Sequence, residues 1–190
     1  MPAHDDDRVP PGWDYNPATW QQRLPIVGMA LIGFGIAMYL SLYQWGVFEH
    51  IWDPFFGTPT GGGSQKILQQ SSISKLTMKY LGVPDGFLGA LGYVADAVAG
   101  VIGGTRRWKT MPWIVILFGV AVGPLGLVSI LLVIFQPVLF NAFCTLCLAT
   151  ALISVSIIGP AMDEVLASLQ YMQRARRAGR SLWRVFWGLS

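Results

Sequence analysis

From Thr110 to Met162 the chain carries no Asp, Glu, Lys or Arg. A soluble domain rarely affords so long an uncharged stretch, whereas a membrane demands one. The run is long enough to cross a hydrocarbon core twice, and Gln136-Pro137 supplies a tight turn, so it reads as a two-helix hairpin. Leu24 to Phe48 is also free of charge. At about 1.5 Å per residue it reaches roughly 37 Å, enough for a core of about 30 Å with some tilt. The 190-residue chain is 53% apolar and 12% charged, where about 25% charged is usual for soluble domains. It is therefore read as an integral membrane protein. A formal charge of +3 is too small to argue for nucleic acid.

The pattern predicts an all-α integral membrane fold. Its core is a four-transmembrane-helix bundle with spans at about 24–48, 80–102, 111–136 and 138–161. A capping loop with a short helix lies between spans one and two, and an amphipathic helix ends the chain. Three regions follow: a polar tail at 1–23, a membrane domain at 24–161 and a basic amphipathic segment at 162–190. The tail, with His4-Asp5-Asp6-Asp7-Arg8 and Pro10-Pro11, reads as disordered or surface-lying. In span one, Gly28, Gly33 and Gly35 offer a face for close helix packing. The connection at 49–79 holds Asp53-Pro54 and Thr58-Pro59-Thr60-Gly61-Gly62-Gly63, which signal turns. A short helix begins at Ser64 and ends near Ser74. Span two contains Pro84, Asp85 and Asp96. An ionisable residue at membrane depth is a functional suspect; the plain alternative is that Asp96 reaches the interface or bonds a neighbouring helix. Gly123-Pro124 predicts a kink in span three.

After Asp163, five arginines (Arg174, Arg176, Arg177, Arg180, Arg184) are mixed with Leu166, Leu169, Met172, Trp183, Phe186 and Trp187. One or two helices broken near Gly179 would lie on anionic lipid. Basic residues gather after span two and after span four. This asymmetry predicts a multi-pass protein of the cell inner (plasma) membrane with both termini cytoplasmic.

The only two cysteines, Cys144 and Cys147, sit near the start of the fourth span. Positions i and i+3 share a helix face, so the sulfurs can meet as a dithiol/disulfide pair. Helix-start dipoles favour a thiolate there, and burial opposes it. Disulfides persist outside the cytoplasm, in agreement with the outward placement. At that depth the natural electron acceptor is a lipid-soluble quinone. The bland reading is two small, soft residues filling a helix interface. Two cysteines, with only the distant His4 and His50, do not make a four-ligand zinc site, so no metal is expected. No His follows Cys147, which excludes c-type haem attachment.

In four stretches the chain resembles the vitamin K epoxide reductase family. The match consists of Ser64-Gln65-Lys66-Ile67-Leu68 with Ser71 or Ser72, Gly82-Val83-Pro84, Leu88-Gly89-Ala90-Leu91-Gly92-Tyr93, and Phe143-Cys144-Thr145-Leu146-Cys147. It covers roughly 24–161. The resemblance implies that Cys144 exchanges with a thiol partner and that Cys147 faces a quinone, ubiquinone or menaquinone. It also implies that the loop after span one caps the quinone pocket, with Phe55, Phe56, Phe87 and Tyr93 as lining. Family members normally carry a second cysteine pair in that loop. Here Ser64 stands where one would be, and the loop has none. Either an extracytoplasmic thioredoxin-like protein reaches Cys144 directly, or the activity is altered or lost.

Three functions compete. The first is a quinone-dependent membrane thiol–disulfide oxidoreductase. The second is a non-catalytic accessory or assembly subunit of a larger membrane complex. The third, a small transporter or channel, rests on Asp96 and Pro124 alone.

Overall fold

Long apolar runs with few helix breakers form long helices, and these are what the computed structural model contains. It describes residues 9–57 and 62–189. The elements are α1 (Trp20–Gln44), α2 (Gly63–Gln70), α3 (Ser72–Leu81), α4 (Asp85–Val101), α5 (Arg107–Thr110), α6 (Pro112–Phe140), α7 (Thr145–Arg177) and α8 (Leu182–Phe186). There is no strand among the described residues. By length and composition α1, α6 and α7 can each cross a membrane. The expected second span is shorter than predicted: α4 has 17 residues.

The four longest helices form the bundle. α1 and α4 run antiparallel, since Gly100 faces Val27, Gly33 faces Tyr93 and Gly86 faces Ser41. α6 and α7 do likewise, with Gly119 on Val165 and Gly126 on Ile158. Glycine is required at these crossings. A Cβ on Gly33 would stand 2.6 Å from the Tyr93 ring, and one on Gly100 would stand 2.6 Å from Val27 Cγ2. Gly28 and Gly35, expected on the same packing face, have open space instead. The core holds Ile26, Ala30, Ala90, Tyr93, Phe118 and Ile157. Leu31, Ile32, Leu117, Val120, Leu127 and Leu152 point outward and are exposed. Such an apolar exterior is a liability in water and suits a lipid surrounding.

The helix ends depart from expectation in an instructive way. Gln136 and Pro137, read as a turn, lie within α6. The helix stops instead at Asn141, in the left-handed region at φ 45°, a conformation that Asn tolerates and that closes helices. α7 therefore starts at Thr145 rather than Val138, and it runs unbroken past Asp163 to Arg177. The short helix expected to end near Ser74 is two helices, with Ser71 between them accepting a hydrogen bond from Ser74 N–H. Gly179, at φ 77°, breaks the chain before α8.

Residues 9–19 lie against the bundle. Trp13 Nε1 donates to Gln170, Tyr15 Oη donates to Asp163 at 2.7 Å, and Asn16 Nδ2 donates to the Thr105 carbonyl. The acidic stretch at 1–8, including His4, and the turn residues 58–61 lie outside the described residues.

Below them is a buried knot of charge. Arg23, fully buried, donates to the carbonyls of Gly100, Ile102 and Gly103. Arg107 donates to the carbonyls of Ala99 and Ile102 and makes a two-pronged ion pair with Glu164. The last carbonyls of a helix have no partner within it and carry negative dipole charge. Two guanidinium groups satisfy those of α4. This is called the arginine end of the bundle; the opposite end is the cysteine end.

Candidate functional site

At the cysteine end, the link between α6 and α7 delivers Cys144 in an extended conformation, with φ −116° and ψ 111°. Cys144 is the N-cap of α7, and its Sγ accepts a hydrogen bond from Cys147 N–H at 3.0 Å. One helical turn thus brings the two residues together, and they form a disulfide with a Cα–Cα separation of 5.2 Å. The Cys144 N–H donates in turn to Gln136 Oε1 at 3.0 Å. Gln136 is the buried side chain that follows from keeping residue 136 inside α6.

Asp53 holds the loop over this helix start. Its carboxylate accepts from Ser64 Oγ at 2.5 Å, from Thr145 Oγ1, and from the N–H groups of Phe56 and Phe55 at 3.0 and 3.3 Å. Burial pushes the Asp53 carboxyl up, but the bonds from Ser64, Thr145, Phe56 and Phe55 outweigh it and hold the group below its ordinary value of 3.8. A carboxylate at the first turn of a helix is also favoured by the dipole. The Phe56 ring packs on Phe143 at 5.3 Å between centroids. Gly63 lies so close to the Phe143 carbonyl that a side chain there has no room. Cys144 is 0% exposed beneath this cover. Sequence reasoning took Asp53 only as part of a turn. The available signal was Asp-Pro-Phe-Phe-Gly, in which Asp bonds the backbone two and three residues on.

Cys147 faces the other way, onto a cavity of about 320 Å³ lined by α1, α4, α6 and α7 together with Leu68 of α2 and Thr77 of α3. The volume lies at the lower end of the range for small-molecule pockets, roughly 300–1,000 Å³. The walls are mostly apolar, and among the polar side chains are Asp85, Tyr93, Asp96, Gln136 and Ser154 beside Cys147. Tyr93 Oη donates to the Thr150 carbonyl at 2.7 Å and lies 2.8 Å from Ser154 Oγ. Asp85 accepts from Gln44 Nε2 at 2.6 Å.

Of the four aromatics expected to line a pocket, Tyr93 is in the wall of this one. Phe55 is 80% exposed on the loop. Phe56 is occupied by Phe143, and Phe87 packs on Trp45 at 5.2 Å. None of these three phenylalanines is in the wall. Aromatic type alone does not tell which side of a loop or helix a ring will take.

No curated protein and no solved structure matches the chain. One family model, described as the vitamin K epoxide reductase family, matches residues 24–161, which include the whole bundle core, the Asp53 cover and both cysteines. On that match, most of its length, the chain belongs to the vitamin K epoxide reductase family.

Proposed function

We propose that the protein is a membrane thiol–disulfide oxidoreductase that passes electrons from an extracytoplasmic thiol protein, through Cys144 and Cys147, to a membrane quinone. The observation that carries this reading is the two-sided disulfide: one sulfur lies under a loop, and the other opens on an apolar cavity. The family match supports the same class of chemistry.

The steps balance as follows. A partner thiolate attacks Cys144 Sγ, the Cys144–Cys147 bond breaks, and Cys147 leaves as a thiolate. N–H groups at the start of a helix stabilise charge on such a sulfur. The partner's second thiol displaces Cys144 and departs as a disulfide. The reduced pair then closes again while two electrons and two protons pass to the quinone, which becomes a hydroquinone. The Gln136 amide nitrogen can donate a hydrogen bond to a ring carbonyl in a mostly apolar cavity. Because the chain has two cysteines in all, no second pair relays electrons, and the partner acts on Cys144 itself. For that the Asp53 cover must lift. On this reading α4, with its 17 residues, is the second of four spans, and both termini are cytoplasmic in the inner (plasma) membrane.

The test is anaerobic. Purified protein is reduced, freed of reductant and mixed with ubiquinone-1 or menadione, and the cysteines are then trapped by alkylation and weighed. Re-formation of the disulfide with one hydroquinone per protein is expected. Thiols that stay reduced with every quinone would overturn the reading, and full cellular function of a C144S/C147S variant would favour an accessory subunit instead.

A further inference from the structure

Asp96 is 5% exposed, and its Oδ1 has no hydrogen-bond partner. It lines the same cavity as Cys147. Buried polar atoms are nearly always paired, because an unpaired one has given up water for nothing. The other buried acids described above obey this rule: Asp53 takes Ser64 and Thr145, and Glu164 takes Arg107. Asp96 is thus a carboxyl with an unsatisfied oxygen in the wall of the cavity that Cys147 shares, and a guest there could supply the missing partner.

Its depth fits that partner. Asp96 lies eleven residues beyond Asp85, the first residue of α4, whereas Cys147 lies two beyond Thr145, the first of α7, and both helices start at the cysteine end. Asp96 thus lies deeper in the shared cavity than Cys147, toward the arginine end. A ring with a carbonyl at each pole meets sulfur at one pole and a carboxyl at the other.

We propose that Asp96 is the proton donor to the quinone carbonyl oxygen that lies farther from Cys147. The proposal rests on the quinone reading above. As the dithiol closes to a disulfide it loses two electrons and two protons, and both electrons go to the ring. The near oxygen takes one thiol proton directly. The far oxygen takes the proton of Asp96, and the second thiol proton replaces it, so hydroquinone forms and Asp96 ends as it began.

The experiment compares wild type with Asp96→Asn in lipid nanodiscs. Each protein is reduced and mixed anaerobically with ubiquinone-1. Disulfide formation in a single turnover is followed by alkylation, and binding of ubiquinone-1 by tryptophan fluorescence. Asn keeps a hydrogen bond but has no proton to give. The expected result is a fall in rate of about a hundredfold, in the range of general acid catalysis, with a Kd within about threefold of wild type and Asp96→Glu restoring much of the rate. An Asp96→Asn rate near wild type would overturn the proposal, as would a loss of rate explained wholly by loss of binding. If Asp96→Asn does not accumulate, Asp96→Glu against Asp96→Gln carries the same contrast. A wild type that reacts with no quinone would overturn the underlying reading, a result distinct from the other two.

Discussion

The two ends of the bundle are closed by charge in opposite senses. At the arginine end two cations sit on the last carbonyls of α4. At the cysteine end one anion, Asp53, sits on the first turn of α7. Each charge matches the dipole of the helix end that it covers. The difference lies in what holds them. Arg23 and Arg107 come from α1 and α5 and bind backbone that cannot leave, and Arg107 also pairs with Glu164 from the middle of α7. Asp53 comes from a loop, and its partners belong to that loop, to α2 and to the helix start. One end is built to stay shut. The other is held by hydrogen bonds from a loop carboxylate, over the cysteine that the proposed thiol exchange would have to reach.

That contrast can be broken by substitution. Glu164→Ala leaves Arg107 buried without its counter-charge, and a loss of about 3–5 kcal/mol is expected. Thermal unfolding in detergent would measure it, and a loss below 1 kcal/mol would mean that the arginine end is not the fixed one. Asp53→Ala removes a carboxylate that accepts five hydrogen bonds and should cost less, about 2–3 kcal/mol. Its sharper signature is local: after reduction, Cys144 should alkylate at least about tenfold faster than in wild type, while Glu164→Ala, once folded, leaves that rate unchanged. Gly63→Ala drives a methyl group into the Phe143 carbonyl and should cost about 1–3 kcal/mol, again with faster Cys144 labelling.

The smallest effect is that of acid. The Asp53 carboxyl in the folded protein titrates below its ordinary 3.8, so the cover is fully held above that pH and loosens as pH falls through the lower folded value. Labelling of reduced Cys144, corrected for its thiolate fraction, should rise only below about pH 4, and Asp53→Asn should abolish the dependence.

Much of the bundle was legible because lipid permits few alternatives: uncharged runs of that length must be helices. The cysteine pair was legible from its spacing. The ends were not. Proline at 137 argued for a turn, but near the end of a helix it forfeits one backbone bond, while Asn141 accepts the left-handed conformation that stops α6. Arg23 argued that α1 begins after it; its three carbonyl partners lie on a segment far along the chain. Glu164 looked like the start of a surface helix for the same reason, since its partner Arg107 is remote. Asp53 shows the limit most plainly. Its short-range bonds to Phe55 and Phe56 are written in the local sequence, whereas its reach to Thr145 is not.

Gln136 touches both halves of the chemistry. Its amide oxygen fixes the backbone of Cys144, and the same side chain forms part of the cavity wall next to Cys147. On the proposed function, a ring that bonds the amide nitrogen would pull on the same side chain that holds the Cys144 backbone, so the two cysteines would be coupled through one residue.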